Sequence, residues 1–167
     1  MKSQEKIPDI KTTNHLQITR STNYRAILTA AILVALGAGS MFLPQVALGI
    51  ALIVIGIILF IVKFKRTVYE KTGSTIKSHY YFIQKEKLAQ LESMLSEENF
   101  KDAMPVKFES DGNAKVELIS SEDKQFLAVQ LLEYVPFSYN PYTSILYFTD
   151  NKATELLSYF DKCKAAK

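Results

Sequence analysis

The feature that most constrains this chain is a long uncharged stretch: no Asp, Glu, Lys, Arg or His occurs from Ala26 to Val62. A bilayer hydrocarbon core about 30 Å thick needs roughly 17–25 apolar residues per helix, so this stretch is long enough to cross twice. Pro44-Gln45 interrupts it, and proline disfavours helix at its own position and at the preceding one. The sequence therefore predicts a membrane protein with a two-helix transmembrane hairpin over residues 24–63, with helices at 24–43 and 46–63 and a turn at 44–45.

The charges flanking this stretch predict its orientation. Both flanks are basic, with Lys2, Lys6, Lys11, Arg20 and Arg25 before it and Lys63, Lys65 and Arg66 after it. The predicted turn carries no charge. Because short loops rich in Lys and Arg remain in the cytoplasm, we expect both chain termini to be cytoplasmic.

Small residues repeat along both predicted helices. Ala31, Ala35 and Gly39 recur every four residues on the first helix, and Gly49 and Gly56 lie seven residues apart on the second. Small side chains let helix backbones approach closely in a membrane. We expect these five residues to mediate helix packing, either between the two helices or against another membrane subunit or a second copy.

A cleaved signal peptide is the alternative interpretation of the first helix. Ala26–Gly37 is an apolar run followed by the small residues Ala38-Gly39-Ser40, the pattern of a signal-peptide core and its cleavage site. The long segment before this run and the apolar sequence that resumes after it favour a membrane anchor.

The segments outside the predicted hairpin differ in character. Residues 1–23 are polar without periodicity, which predicts a flexible cytoplasmic tail. Residues 64–167 predict a small cytoplasmic α+β domain in the order ββαβββα, a mainly antiparallel sheet with two helices. Six segments have strand character, one more than this order contains: 64–71, 75–83, 106–109, 115–120, 125–135 and 143–149. The helices are predicted at 84–97 and 152–163. Thr72-Gly73-Ser74 predicts a turn joining the first two strands in a hairpin.

The sequence contains few residues that could carry chemistry. It has two histidines, His15 and His79, and it lacks the common nucleotide-binding and metalloprotease motifs. The single Cys163 cannot form an intramolecular disulfide and is expected to be a free thiol in a reducing compartment. Acidic residues outnumber basic ones after Thr67, which argues against a nucleic-acid partner. We expect no catalytic, cofactor-binding or metal site.

An aromatic segment is the strongest candidate for a binding surface. Phe137, Tyr139 and Tyr142 lie in a predicted loop between Pro136 and the following strand, close to Pro141. Amphipathic rings on a semi-rigid loop are common at protein interfaces. The sequence predicts that these three residues bind a partner; the alternative is that their rings cover the core of the domain.

The plan of a helical hairpin followed by a small domain resembles that of many small bacterial membrane proteins, in architecture only. Together these features predict a non-enzymatic subunit or adaptor of the bacterial inner membrane. It would anchor a cytoplasmic protein-interaction domain in a larger assembly, with the bilayer and a membrane protein or a second copy as partners. Two alternatives remain. One is a membrane-bound enzyme or ligand sensor with a pocket near Gln130, Glu133 or His79, and the other is a self-associating, holin-like pore.

Overall fold

The computed structural model describes residues 7–15, 17–42, 44, 46–101 and 103–165. The chain forms two compact units. One is Ile18–Gly73, and the other combines Met1–Gln17 with Ser74–Lys167. The predicted domain boundary at residue 64 therefore moves to residue 74, and of the chain before the helices only the part up to Gln17 groups with the domain that follows them.

The unit Ile18–Gly73 is a pair of helices with a strand on either side. Helix α1 (Tyr24–Ser40) and helix α2 (Val46–Lys63) are flanked by strands β1 (Ile18–Thr22) and β2 (Lys65–Tyr69). The two strands pair antiparallel. The backbone N–H of Asn23 donates to the Phe64 carbonyl at 2.9 Å, so the start of α1 lies beside the end of α2. Gln45 of the predicted turn lies outside the described residues.

The pairing of β2 corrects the predicted first hairpin of the domain. The chain does turn at Gly73, which has a φ of +70° and donates its N–H to the Tyr69 carbonyl at 2.8 Å. However, β2 pairs with β1 and not with the strand after the turn. The packed helices already bring Thr22 and Lys65 together. Pairing the strands that flank the helices therefore costs little additional loop-closure entropy.

The two helices meet through glycine and alanine. The buried residues are Ala30 and Gly37 on α1 and Gly49 and Gly56 on α2. A Cβ on Gly37 would lie 2.7 Å from the Gly49 carbonyl oxygen, and one on Gly56 would lie 3.0 Å from the Ala30 carbonyl oxygen. The backbones therefore touch at two levels, and only residues without a large side chain fit there.

The structure does not support the prediction that both helices are long enough to span a membrane. Among the described residues, α2 is the one helix that meets the requirement in length and apolar content, while α1 is a shorter apolar helix of 17 residues. Helix α1 ends at Ser40, whereas the sequence predicted an end at residue 43. Gly37 and Gly39 near its end are weak helix formers, which accounts for the earlier termination.

The second unit is an antiparallel sheet with two helices. Its elements are β3 (Ile76–Ile83), a short 3₁₀ helix (Lys85–Lys87), α3 (Leu88–Glu97), β4 (Ala114–Ser121), β5 (Phe126–Val135), β6 (Ser138–Pro141), β7 (Leu146–Thr149) and α4 (Asp150–Ala165). The strand order is β3-β4-β5, and β6 and β7 pair with the two halves of the far edge of β5. The apolar strand β5 is thus central.

The element order within this unit is βαββββα, whereas the sequence predicted ββαβββα for residues 64–167. The first predicted strand belongs to the other unit as β2, and two further strands differ. The predicted strand 106–109 is reduced to a single bridge between Phe82 and Glu109. The predicted loop 136–142 contains the strand β6, because the chain reverses within two residues and pairs back onto β5. Because only two residues separate β5 from β6, no loop-like segment marks the boundary between the strands, and the sequence pattern did not reveal β6.

One face of the sheet packs against α3 and α4. Alternate residues of a strand point to opposite faces, and a single buried cluster joins one face of β4 and β5 to both helices. Its members include Val116, Leu118, Leu127, Val129, Leu131, Leu91, Leu95, Leu156 and Phe160. This cluster is the hydrophobic core of the domain.

Residues 7–15 contact the opposite face of the sheet, which corrects the prediction of a flexible tail for this segment. Residues 1–6 and 16 of the predicted tail lie outside the described residues. The Ile10 side chain is fully buried, and its N–H donates to the side chain of Gln130 on β5 at 2.7 Å. Residues 18–22 form β1. Burying one isoleucine contributes about 1.5–3 kcal/mol, so a polar segment with a single apolar anchor can dock without any periodic pattern.

Candidate interaction surfaces

The turn between β5 and β6 presents the most exposed aromatic ring of the described chain. Val135 pairs with Ser138, which leaves Pro136 and Phe137 as the two turn residues. Phe137 has a φ of +77°, and a proline followed by a residue of positive φ is the pattern of a type II turn, where glycine is usual. The Phe137 side chain is 98% exposed. The chain thus places a large apolar ring in solvent at a backbone position that disfavours it.

Neighbouring side chains extend this surface, which we call the hairpin tip: Tyr134, Val135, Pro136, Phe137 and Tyr142. Tyr134, Val135 and Tyr142 are each about two-fifths exposed. The Phe137 N–H donates to the Tyr134 hydroxyl at 3.3 Å. The tip is therefore an uncharged aromatic surface whose turn is held by one of its own rings.

Tyr139 supports the hairpin and does not contribute an exposed ring. Its hydroxyl donates to the Gly112 carbonyl at 2.6 Å, and the Lys115 ammonium lies 4.4 Å from its ring centroid. The Tyr134 ring meets it edge-on at 5.3 Å. The structure thus separates the three predicted partner-binding residues: Phe137 is fully exposed, Tyr142 partly so, and Tyr139 packs within the domain.

A polar cavity of about 450 Å³ lies on the inner side of this hairpin. Its walls are Gln84, Lys85, Glu86, Glu109, Asp111, Gly112, Asn113, Tyr134 and Tyr139. Lys85 pairs with Glu133, and the hydrogen bond and negative charge of Glu133 raise the pKa of Lys85. Gln84 donates to Glu109 at 2.7 Å. Three of the wall side chains, those of Gln84, Lys85 and Glu109, are thus already paired with protein groups.

The residues predicted for an enzyme or sensor pocket are not brought together. Gln130 is fully buried and bonded to residues 8 and 10. Glu133 pairs with Lys85 at the edge of β5, and His79 is exposed on β3. The described residues include no group of three or more His, Cys, Asp or Glu that could hold a metal ion.

Cys163 is enclosed by the core. It is fully buried, and this burial raises the pKa of its thiol. Burial also raises the pKa of the adjacent Tyr159, with a further contribution from the negative charge of the Cys163 thiolate. A thiol that resists deprotonation and has no access to solvent is a poor nucleophile.

The predicted helix-packing residues fall on different sides of α1 and α2. Gly49 and Gly56 lie at the contact between the helices. Ala31, Ala35 and Gly39 are exposed, and a Cβ on Gly39 would meet no described atom within 4 Å. Because Gly37 and not Gly39 faces α2, the four-residue repeat points away from the partner helix. The seven-residue spacing from Ala30 to Gly37, matching Gly49 to Gly56, is the signal that would have identified the contact.

Comparison of the chain with protein-family models, curated proteins and solved structures finds no match.

Proposed function

We propose that this chain is a non-enzymatic subunit or adaptor of a membrane assembly. Helices α1 and α2 lie in the bilayer, and the domain presents the hairpin tip to a protein partner. The proposal rests on the outward apolar surface of the helices, the pairing of the strands that flank them, and the exposure of Phe137.

The surface of α2 suits a lipid environment. Of its 18 residues, all of them described, only Gly49 and Gly56 are buried. Large apolar side chains face outward along its length, including Val46, Leu48, Ile50, Val54, Ile55, Ile57, Ile58, Ile61 and Val62. Soluble monomers rarely expose contiguous apolar patches beyond a few hundred Å². A core helix of a soluble protein would bury these side chains, so their exposure favours a membrane helix.

The flanking strands favour two crossings over one. If α2 crossed alone, β1 and β2 would lie on opposite sides of the bilayer and could not pair as they do. Both helices therefore cross together or neither does. The 17 residues of α1 span about 26 Å at 1.5 Å per residue, at the lower end of the length that a bilayer core requires. The basic residues Lys63, Lys65 and Arg66 then favour a cytoplasmic domain.

Phe137 is the single observation that carries the binding part of the proposal. A non-glycine residue with a left-handed backbone costs about 1–2 kcal/mol, and a ring 98% exposed recovers little of this through packing. Stability alone would favour glycine at this position. Glu98, Lys124 and Asp150 also have a positive φ, so it is the combination of this backbone with an almost fully exposed aromatic ring that supports a contact site at Phe137.

The proposal is tested by Phe137→Gly, with Tyr80→Ala as the matched control. Tyr80 is also an exposed aromatic residue, 57% accessible, but it lies within strand β3 without a positive φ. Phe137→Gly should raise the stability of the domain by about 0.5–1 kcal/mol, because glycine adopts positive φ freely. It should also reduce the proteins recovered with the chain from its native membrane, whereas Tyr80→Ala should not.

A photo-crosslinking residue at position 137 identifies the partner directly. It should give discrete crosslinked products that the same residue at position 80 does not give. Unchanged recovery with Phe137→Gly, together with identical crosslinking from both positions, would rule out the hairpin tip as a partner site.

The internal hydrogen bonds of the helices favour an anchor over a pore. The Thr29 hydroxyl donates to the Arg25 carbonyl at 2.9 Å, and the Ser40 hydroxyl donates to the Gly37 carbonyl at 2.9 Å. Neither hydroxyl is needed to bind water. A holin-like pore predicts dye leakage from vesicles containing the purified chain, and an anchor predicts none.

A further inference from the structure

The N-terminal segment 7–15, which we call the strap, is bound to the sheet as a peptide is bound in a groove. The Ile10 N–H donates to Gln130 Oε1 at 2.7 Å, and Gln130 Nε2 donates to the Pro8 carbonyl at 2.8 Å. The same Nε2 donates to the Thr143 carbonyl at 3.0 Å, so the fully buried amide is fixed by the domain. One side chain thus holds both a donor and an acceptor of the strap backbone, which recognises extended chain independently of sequence.

Two adjacent strap residues add side-chain recognition. Ile10 is fully buried, and the Lys11 ammonium lies 2.9 Å from Glu117 Oε1. Glu117 lies opposite Gln130 in the β4–β5 register, so both side chains point to the face that the strap covers. His15 adds a contact at the far end, with Nδ1 2.8 Å from the Tyr147 hydroxyl. The groove therefore holds a branched apolar side chain followed directly by a cation.

Among the described residues, the strap is not hydrogen-bonded to the sheet as an additional strand. No strand pairing within that part of the chain includes the strap, so it can leave without breaking a pair of strands. A cavity of about 410 Å³ is lined by Pro8 and Asp9 of the strap and by Asn140 and Pro141 of β6. The strap therefore does not fill the surface on this side of Ile10, where the Pro8 carbonyl is held by Gln130.

The strap leaves one oxygen of the Glu117 carboxylate without a hydrogen bond. Its Oε1 accepts both Lys11 and Lys115, the latter at 2.6 Å. Its Oε2 is buried and has no hydrogen-bond partner among the described residues. A buried carboxylate oxygen without a donor is unfavourable. A guanidinium, which donates two parallel N–H groups to a carboxylate, would satisfy both oxygens.

We infer that the groove beneath the strap is a peptide-binding site, occupied here by the chain's own N-terminal segment. Its partner is an extended segment of another protein with Ile or Val followed by Arg, and the strap is the competing occupant. This site lies on the sheet face that Gln130 and Glu117 share. It is independent of the proposed function of the hairpin tip, and either proposal can fail without the other.

Fluorescence polarisation with labelled synthetic peptides of residues 6–15 tests the inference on the full chain in nanodiscs. The strap is released by the double substitution Ile10→Asp and Lys11→Glu, and Lys77→Glu serves as a control. Lys77 pairs with Glu122 away from the groove. The released chain should bind the native peptide at least about tenfold more tightly than the Lys77→Glu chain, in which the strap still competes.

The peptides themselves test the recognised chemistry. A Lys11→Arg peptide should bind the released chain about three- to tenfold more tightly than the native peptide, and a Lys11→Glu peptide about tenfold more weakly. Equal binding of the three peptides by a released chain with a native circular dichroism spectrum would overturn the inference. So would a failure to bind any of them. Dimers formed in the unaltered chain through exchanged straps would assign the groove to a second copy and would also overturn it.

Hydrogen exchange on the unaltered chain keeps the inference testable if the released variant unfolds. The Ile10 amide is buried and hydrogen-bonded, but a strap that leaves by itself should let it exchange at least about tenfold faster than amides of β5 such as that of Val129. Equal exchange rates would show that the strap opens only when the domain unfolds, and would make it a part of the core.

Discussion

The helix pair and the domain distribute the same kinds of side chain in opposite ways. In α2 the large apolar residues such as Ile55 and Ile58 are exposed, and the buried positions are the glycines. In the domain, Phe126, Leu131 and Phe160 are buried, and no glycine belongs to the core cluster. The proposed membrane location of the helix pair gives this difference a physical reason, because the two regions would then face different solvents. Water drives large apolar groups inward, whereas lipid leaves close backbone packing as the main source of helix association.

The first prediction concerns which side of the membrane each region occupies. The expected result is labelling of one position and no labelling of the other. Cys163 is buried and cannot report topology in the folded chain, so the probes belong in a Cys163→Ala background. Phe42→Cys, at an exposed position just after α1, should react with an impermeant maleimide added to intact cells. Tyr80→Cys should react only after lysis. Labelling of both positions in intact cells would overturn the predicted orientation.

The second prediction compares equivalent truncations in the two regions. Phe160→Ala removes a buried ring from the core and should cost about 3–5 kcal/mol of unfolding free energy. Ile58→Ala removes an outward side chain of α2 and should change stability by about 0.5 kcal/mol or less when the chain is in a bilayer. Denaturant titration followed by circular dichroism measures both. A large cost for Ile58→Ala would mean that α2 is covered by protein.

The third prediction separates the two kinds of glycine on α1. Gly37→Leu would drive a side chain into the Gly49 carbonyl and should destabilise the helix pair by about 1–3 kcal/mol through overpacking. Gly39→Leu enters open space and should leave the pair intact. Thermal unfolding in micelles reports the difference. If Gly39→Leu instead disrupts a larger complex, the exposed ridge of Ala31, Ala35 and Gly39 packs against a partner.

The smallest expected effect is an alkaline loss of stability confined to the domain. Burial raises the pKa of Cys163 above its ordinary value of 9.0 and raises that of Tyr159 above 10.0. The unfolded chain therefore loses these protons first, so the stability that they contribute below pH 9 declines as the pH rises. The melting temperature should fall above pH 9, and Cys163→Ala should reduce the slope. An identical slope in the variant would exclude the thiol as a cause.

The sequence by itself determined the features that depend on local composition. The uncharged stretch from Ala26 to Val62 and the helix-breaking Pro44 within it were sufficient to predict two apolar helices separated by a break. The apolar run of β5 indicated a central strand, and the aromatic residues after it indicated a surface of interest. Each of these follows from the transfer free energy or the backbone preference of neighbouring residues.

The tertiary structure decided which of these features meet. Whether Gly37 or Gly39 faces α2 depends on the rotation of one helix about its axis, and the pairing of β1 with β2 depends on the helices that bring them together. The docking of Ile10 on Gln130 joins residues 120 positions apart, and a single apolar anchor leaves no periodic trace. The sequence singled out Phe137 together with Tyr139 and Tyr142, but only the pairing of β6 with β5 places Phe137 in a two-residue turn with a positive φ.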